Sequence, residues 1–314
     1  MPVDIASSEG FTRVIVDKEN PIVIDLNGRT AFITGGSRGI GLGIARALAT
    51  RNVKIALADI DETSLEDAVN ELSAVADVRG YLLDVSDRNA YATVAGRVAE
   101  DLGPVTLLFN NAGIIDSAPP RHMSYAMYDH VVGVNLHGVY NGFQTFVPTM
   151  IELGQGGHIV STSSEAGLVP AGSGYLYHAT KYAVVGMSES FRSELASQDI
   201  GVSVLIPGPV ATDIVQNTRL LRPDEAPVQS RKVVAILDHA HEALNSMGAD
   251  PNGVGELVVQ SVLDNAPYIH TRNGAKEYLE ARTAEISAAM DHAEAFLSAR
   301  PATPAELGEG MVSA

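Results

Sequence analysis

The chain has 314 residues, 46% hydrophobic content and a formal net charge of −17, with Asp and Glu outnumbering Lys and Arg 38 to 21. That balance argues against a nucleic-acid partner, which rewards clustered Lys and Arg, and against an anionic membrane surface. With no Cys there are no disulfides, thiolate metal sites or thiol nucleophiles, an absence that fits a cytoplasmic location.

Residues 1–28 carry no clear hydrophobic period and end on the turn signal Asp25-Leu-Asn-Gly28. They read as an N-terminal extension with room for a short strand or for packing on a neighbour. The start lacks the basic and apolar regions of a signal peptide, and no apolar run reaches the roughly 20 residues of a membrane span, which predicts a soluble protein. From Arg29 onward short apolar runs alternate with amphipathic stretches of helical length. The runs are Thr30–Thr34, Val53–Ala58, Gly80–Leu83, Val105–Phe109, His158–Ser161, Val202–Ile206 and Pro267–His270. The helical stretches fall near 40–50, 62–74, 87–102, 124–153, 177–198 and 254–265. This alternation predicts an α/β fold, a doubly wound parallel sheet with helices on both faces, over residues 29–272. Between Asp213 and Gly253 the pattern breaks, and Pro223, Pro227 and Pro251 bound a candidate helix over 229–247. An insert after the C-terminal end of a strand lies at the ligand edge of such a sheet, so residues 213–253 read as a substrate lid. Residues 273–314 read as a terminal helix, 276–297, and a disordered tail from Pro301.

Thr34-Gly-Gly-Ser-Arg-Gly-Ile-Gly41 follows the first strand and opens a helix, so Gly35, Ser37, Arg38, Gly39, Ile40 and Gly41 form a turn whose bare backbone suits a pyrophosphate. Asp59 ends the second strand 18 residues beyond Gly41, the spacing of an acid that bonds the adenosine ribose. A carboxylate there repels a 2′-phosphate, and Ile60 offers no compensating cation, so NAD is favoured over NADP. Arg38 is the counter-signal, since its guanidinium would pair with a 2′-phosphate. Further along, Tyr177 and Lys181 stand four residues apart on one helical face, about 5–6 Å between Cβ atoms. That spacing lets the ammonium lower the phenol from its usual value near roughly 10. Ser164, upstream, is placed to steady a reacting oxygen.

Taken together these motifs resemble the short-chain dehydrogenase/reductase family over roughly residues 29–272, which implies the Rossmann fold. The turn matches T-G-x-x-x-G-x-G. Leu83-Asp-Val-Ser86 is similar to the adenine-binding step, implicating Asp84 and Val85. Asn110-Asn-Ala-Gly113 is similar to N-N-A-G, so the resemblance assigns Asn111, Ala112 and Gly113 to the cofactor. Pro207-Gly-Pro-Val-Ala-Thr212 matches P-G-x-V-x-T and implies that Pro207, Gly208, Val210 and Thr212 line the nicotinamide end. The implied catalytic set is Asn135, Ser164, Tyr177 and Lys181. Tyr177 would be the acid/base, Lys181 would hold the ribose, Ser164 would bond the substrate oxygen, and Asn135 would hold a water leading from Lys181 to solvent. Tyr175 is set aside because Ala179, not Lys, lies four residues on. Ser164 lies 13 residues before Tyr177, the family interval, whereas Ser163 is assigned to backbone support. The resemblance also implies homotetramers or dimers joined through the Tyr177 helix.

Of the nine His residues, His178, His239 and His241 lie near the site or in the lid, but no H-E-x-x-H or dense cluster suggests a metal. Asp116 and Glu165 are candidates to face the substrate. Segments such as 133–142, 146–150, 156–160 and 265–271, with Arg222-Pro223, resemble a bacterial subgroup that includes Cα-dehydrogenases of lignin-type aryl ether dimers. These oxidise a benzylic secondary alcohol with NAD. The expectation is therefore a small-molecule alcohol or ketone substrate, which the subgroup resemblance implies is bulky and aromatic. An NADP-dependent ketone or 3-oxoacyl reductase, a hydroxysteroid dehydrogenase and a non-catalytic NAD-binding regulator stay open.

Overall fold

The computed structural model describes residues 24–116, 119–170 and 174–299. The start of the N-terminal extension and the tail from Pro301, both read from the sequence above, lie outside the described residues. Two compact units divide the chain, Met1–Arg272 and Asn273–Ala314.

The first unit is built on parallel strands β1 (Thr30–Thr34), β2 (Lys54–Asp59), β3 (Val78–Leu82), β4 (Val105–Asn110), β5 (Gly157–Thr162), β6 (Ile200–Ile206) and β7 (Tyr268–His270). Their order is β3-β2-β1-β4-β5-β6-β7. Every residue of β1, β4, β5 and β6 is buried, which is why these runs are mainly apolar and do not alternate between apolar and polar. Side chains still alternate between two cores. Ala31, Ile33, Ile55, Leu57, Leu107 and Phe109 face one layer, and Phe32, Ala56, Ala58 and Leu108 face the other. In the second layer the Phe32 ring lies 4.9 Å from Phe146 and 5.8 Å from Tyr91, centroid to centroid.

The helices of this unit are α1 (Gly39–Ala49), α2 (Glu62–Leu72), α3 (Arg88–Leu102), α4 (Tyr125–Val132), α5 (Gly138–Leu153), α6 (Tyr175–Leu195), α7 (Ile214–Leu220), α8 (Arg231–Met247) and α9 (Pro251–Leu263). Side chains of Asp61, Asp87, Ser124, Ser230 and Asp250 cap α2, α3, α4, α8 and α9 by accepting from first-turn amides. In α9 the cap is followed by Pro251 at the first helical position, so this helix starts three residues earlier than its apolar period suggests. α1 and α9 cross backbone to backbone. A Cβ on Gly43 would lie 2.1 Å from the Pro251 carbonyl oxygen, and one on Gly255 would lie 2.2 Å from the Gly43 carbonyl. The second unit contains α10 (Lys276–Ser298).

Two features depart from the sequence reading. The stretch expected as one helix over 124–153 is α4, a π-helical turn at Gly133–His137, and α5. The extra residue in the π turn accompanies a fully buried Asn135, whose carboxamide bonds Ile114 in the loop after β4. The lid also holds the seven-residue α7, which buries only Val215 and Thr218 and is too short for its period to register.

Candidate active site

Strand order reverses between β1 and β4, so a crevice opens at their carboxyl ends. The glycine turn leaves β1 there. Gly35 and Gly39 hold φ of +60° and +54°, a region that L side chains enter only with strain. From the end of β4, Asn111 clamps this turn. Its Nδ2 donates to the Thr34 and Gly35 carbonyls at 3.1 and 3.2 Å, and its own amide and that of Ala112 donate to Thr34 Oγ1 at 3.0 and 3.1 Å. The turn and the N-N-A-G segment are thus one hydrogen-bonded unit.

At the end of β2, Asp59 Oδ2 accepts from the Ser37 amide and hydroxyl at 3.1 and 2.6 Å. Arg38 turns away to Asp61, at 2.7 Å, and also bonds Ser64 and Asn217. Ile60 stands exposed beside Asp59. Asp84 accepts from the Ser86 amide and hydroxyl, and the carbonyl of buried Val85 takes a hydrogen bond from Asn141. From the other side, the 207–212 segment closes in. The Pro207 carbonyl accepts from the Glu165 amide and the Gly208 amide donates to Thr271 Oγ1, both at 3.0 Å. Val210 is buried, and Thr212 lies against the turn, with its Cγ2 2.9 Å from where a Gly39 Cβ would be.

Ser164 caps a single 3-10 turn, accepting from the Ala166 amide at 3.1 Å, and is hydrogen-bonded to the Tyr177 hydroxyl. One turn on, Lys181 is buried and donates from Nζ to the Thr162 carbonyl at 2.9 Å. Ser163 donates to the Lys181 carbonyl at 2.8 Å and so supports the helix backbone. Asn135 accepts from the Ile114 amide and donates to the Ile114 carbonyl, each at 2.9 Å. Gly113 lies between Asn135 Oδ1 and Lys181 Nζ, each 3.3 Å from where its Cβ would be.

Burial holds Lys181 down at about 8. It also pushes the Tyr177 phenol above its ordinary value, with the Ser164 hydrogen bond acting downward. The spacing argument has Lys181 lowering the phenol. Here burial outweighs it, because the ammonium sits 5.6 Å from the Tyr177 ring centroid and is directed at Thr162.

Asp116 and Glu165 are both paired with arginines. Arg222 Nε meets Asp116 Oδ2 at 2.9 Å, and Arg272 grips Glu165 through Nε and Nη2 at 2.9 and 2.5 Å. Thr218 in α7 accepts from the Ile115 amide at 2.9 Å. Asn217, Thr218 and Arg272 are absent from the sequence reading, and Arg222 enters it only as part of a subgroup resemblance, because each meets a residue more than 60 positions away. His178 Nδ1 lies 2.9 Å from the Ala166 carbonyl, His239 is exposed, and His241 is 3.9 Å from Asp213.

The family model for short chain dehydrogenase matches residues 29–222. The C alpha-dehydrogenase of Sphingobium sp. is 36% identical over 267 residues, 82% of this chain and 86% of that protein. The chain belongs to the short-chain dehydrogenases. A short-chain dehydrogenase/reductase of Burkholderia phymatum, solved in complex with NAD, is similar with a TM-score of 0.80 and 30% identity over 90% of this chain and 99% of its own. The apo form of LigD from Sphingobium sp. follows with a TM-score of 0.67 and 32% identity, covering 89% of this chain and 100% of that one. As a member of this family the protein is an NAD(P)-dependent alcohol dehydrogenase or ketoreductase with the Rossmann fold. Among the described residues no helix is long and apolar enough to cross a membrane.

Proposed function

We propose that this short-chain dehydrogenase interconverts a bulky aromatic secondary alcohol and its ketone with NAD. The observation that carries the reading is the hydrogen bond between Ser164 and Tyr177 beside buried Lys181. The nicotinamide dinucleotide, when bound, supplies the hydride acceptor or donor. Its fit rests on the glycine-rich turn at 35–41, with Asp59, Asp84 and Val85 toward the adenosine and Pro207, Gly208, Val210 and Thr212 toward the nicotinamide. Ile40, Asn111, Ala112 and Gly113 line the floor between them. Asp59 beside exposed Ile60, with Arg38 already paired to Asp61, favours NAD over NADP.

Tyr177 takes the proton from the alcohol oxygen in oxidation and returns it in reduction. Ser164 bonds the same oxygen as charge develops on it. Lys181 holds the ribose and keeps positive charge near the phenol. Asn135, held by Ile114, fixes the segment beside Lys181 where protons leave. Exposed Met123, Tyr125 and Leu220 lie on the two segments that Arg222 ties together through Asp116 and Met127, which suits an apolar aromatic substrate. The same reading expects a dimer or tetramer with α6 in the contact and a cytoplasmic setting. In the test, NAD and NADP are offered separately with a panel of secondary alcohols while reduced nicotinamide is followed by absorbance. NAD reduction by a benzylic alcohol, with kcat falling on the order of 10³-fold in Tyr177→Phe, is the expected result. Undiminished turnover in Tyr177→Phe sinks the acid/base assignment, and a preference for NADP sinks the cofactor assignment.

A further inference from the structure

The lid is tied to the rest of the first unit at three points along one short stretch. Asn217 accepts from Arg38 of the glycine turn at 2.8 Å. Thr218 accepts from the Ile115 amide at 2.9 Å. Arg222, just past α7, pairs with Asp116 at 2.9 Å and reaches Met127 Sδ at 3.7 Å.

The third tie differs in kind from other ion pairs of the lid. The side chains of Arg222 and Asp116 are 12% and 3% exposed, whereas those of Arg219 and Asp238, also paired in the lid, are 30% and 51% exposed. An exposed pair is weakened by water and salt. A buried pair resists separation, because parting it leaves a charge without a counter-charge in protein surroundings. Opening the lid at Arg222 parts this buried pair. His130 faces Asp116 from α4 and is no substitute. Burial holds its imidazole below the usual value, with Asp116 and Asp84 acting upward and Arg222 downward.

The position of Asp116 gives the pair its reach. It lies three residues past Gly113, and Ile114 and Ile115 between them are bonded to Asn135 and Thr218. We propose that Arg222 and Asp116 are positioning residues that latch the lid over the substrate end of the site and govern substrate entry and product exit. This rests on the dehydrogenase reading above. Neither residue touches reacting atoms. They act through α7, whose closed position brings Thr218 onto the main chain next to the Asn135–Ile114 contact.

Hydrogen exchange on the full chain, without added ligand, tests the latch in the wild type, Asp116→Asn, Arg222→Gln and Arg222→Lys. Expected are exchange about tenfold faster in residues 214–222 and at the Ile115 amide in Asp116→Asn and Arg222→Gln, with β1 and β4 unchanged. Arg222→Lys, which keeps the charge, retains most of the protection. In turnover, both disrupted variants raise KM while kcat holds or rises. Wild-type exchange in the lid of both overturns the proposal. So does exchange that rises equally in β1 and β4, since the pair then supports the fold as a whole. If Asp116→Asn does not fold, Arg222→Gln decides alone. Exchange needs no turnover, so failure of the wild type to oxidise any alcohol defeats the dehydrogenase reading and leaves the latch to the exchange result.

Discussion

α8 and α9 are consecutive helices, separated only by the residues between Met247 and Pro251, yet they behave as opposites. α9 buries Val254, Val258, Val259 and Val262 and crosses α1 with no side chain between the two backbones. α8 is longer and plainly amphipathic, but none of its residues is buried. Its apolar stripe, Val233, Leu237, Ala240 and Leu244, is only half-covered. Amphipathic period alone therefore does not tell a helix of the framework from one of the lid. Small residues at the crossing and full burial do.

The comparison breaks if the crossing tolerates bulk. Gly43→Val places branched carbon where the Pro251 carbonyl already sits, and a backbone atom has no rotamer by which to yield. The expected loss is about 3 kcal/mol, with the melting temperature down by roughly 5 °C in a circular-dichroism scan. A melt within 2 °C of wild type, by the same slope, would show that the helices slide apart freely.

The framework side of the site is sharpened by pH. Burial lowers Lys181 to about 8, below its ordinary 10.5, so its charged form is disfavoured in the folded state. The unfolded chain then binds the extra proton between these values, and stability rises with pH across that window and is flat below it. Between pH 8 and 10 the gain is about 2 kcal/mol, read from urea midpoints, and Lys181→Met abolishes it. Identical pH dependence in wild type and Lys181→Met would rule this out.

The smallest effect belongs to α8. Ile236 is 58% exposed, and Ile236→Ser is expected to change stability by no more than about 0.5 kcal/mol. A larger loss in the same urea titration would make α8 part of the framework after all.

Much of the fold is legible in the sequence because the central strands are buried on both faces and read as short apolar runs between turn residues. The glycine turn is legible for a similar reason, since Gly35 and Gly39 hold conformations that few other residues tolerate. Tyr177 and Lys181 can be grouped because a helical period sets their separation, whereas Ser164 is picked out from Ser161 and Ser163 by the interval that the family resemblance implies. The rest depends on tertiary contact. The π turn at Gly133–His137 continues an ordinary helical pattern, and only the Asn135–Ile114 contacts distinguish it. Arg222 and Asp116 are 106 residues apart, so no local spacing joins them. The rise of the Tyr177 phenol comes from enclosure, which spacing on a helix does not encode.

The crossing at Gly43 and Gly255 also sets a schedule for the growing chain. These two glycines are separated by 255 − 43 = 212 positions. At about 5–20 residues per second, a ribosome takes roughly 10–40 s to deliver the second after the first. During that interval the nascent segment that forms the glycine turn and α1 is without its partner helix. Its apolar surface is then open to chaperones, while the lid is synthesised in between. Of the two crossing helices, the one made earlier thus waits for the later one to be completed.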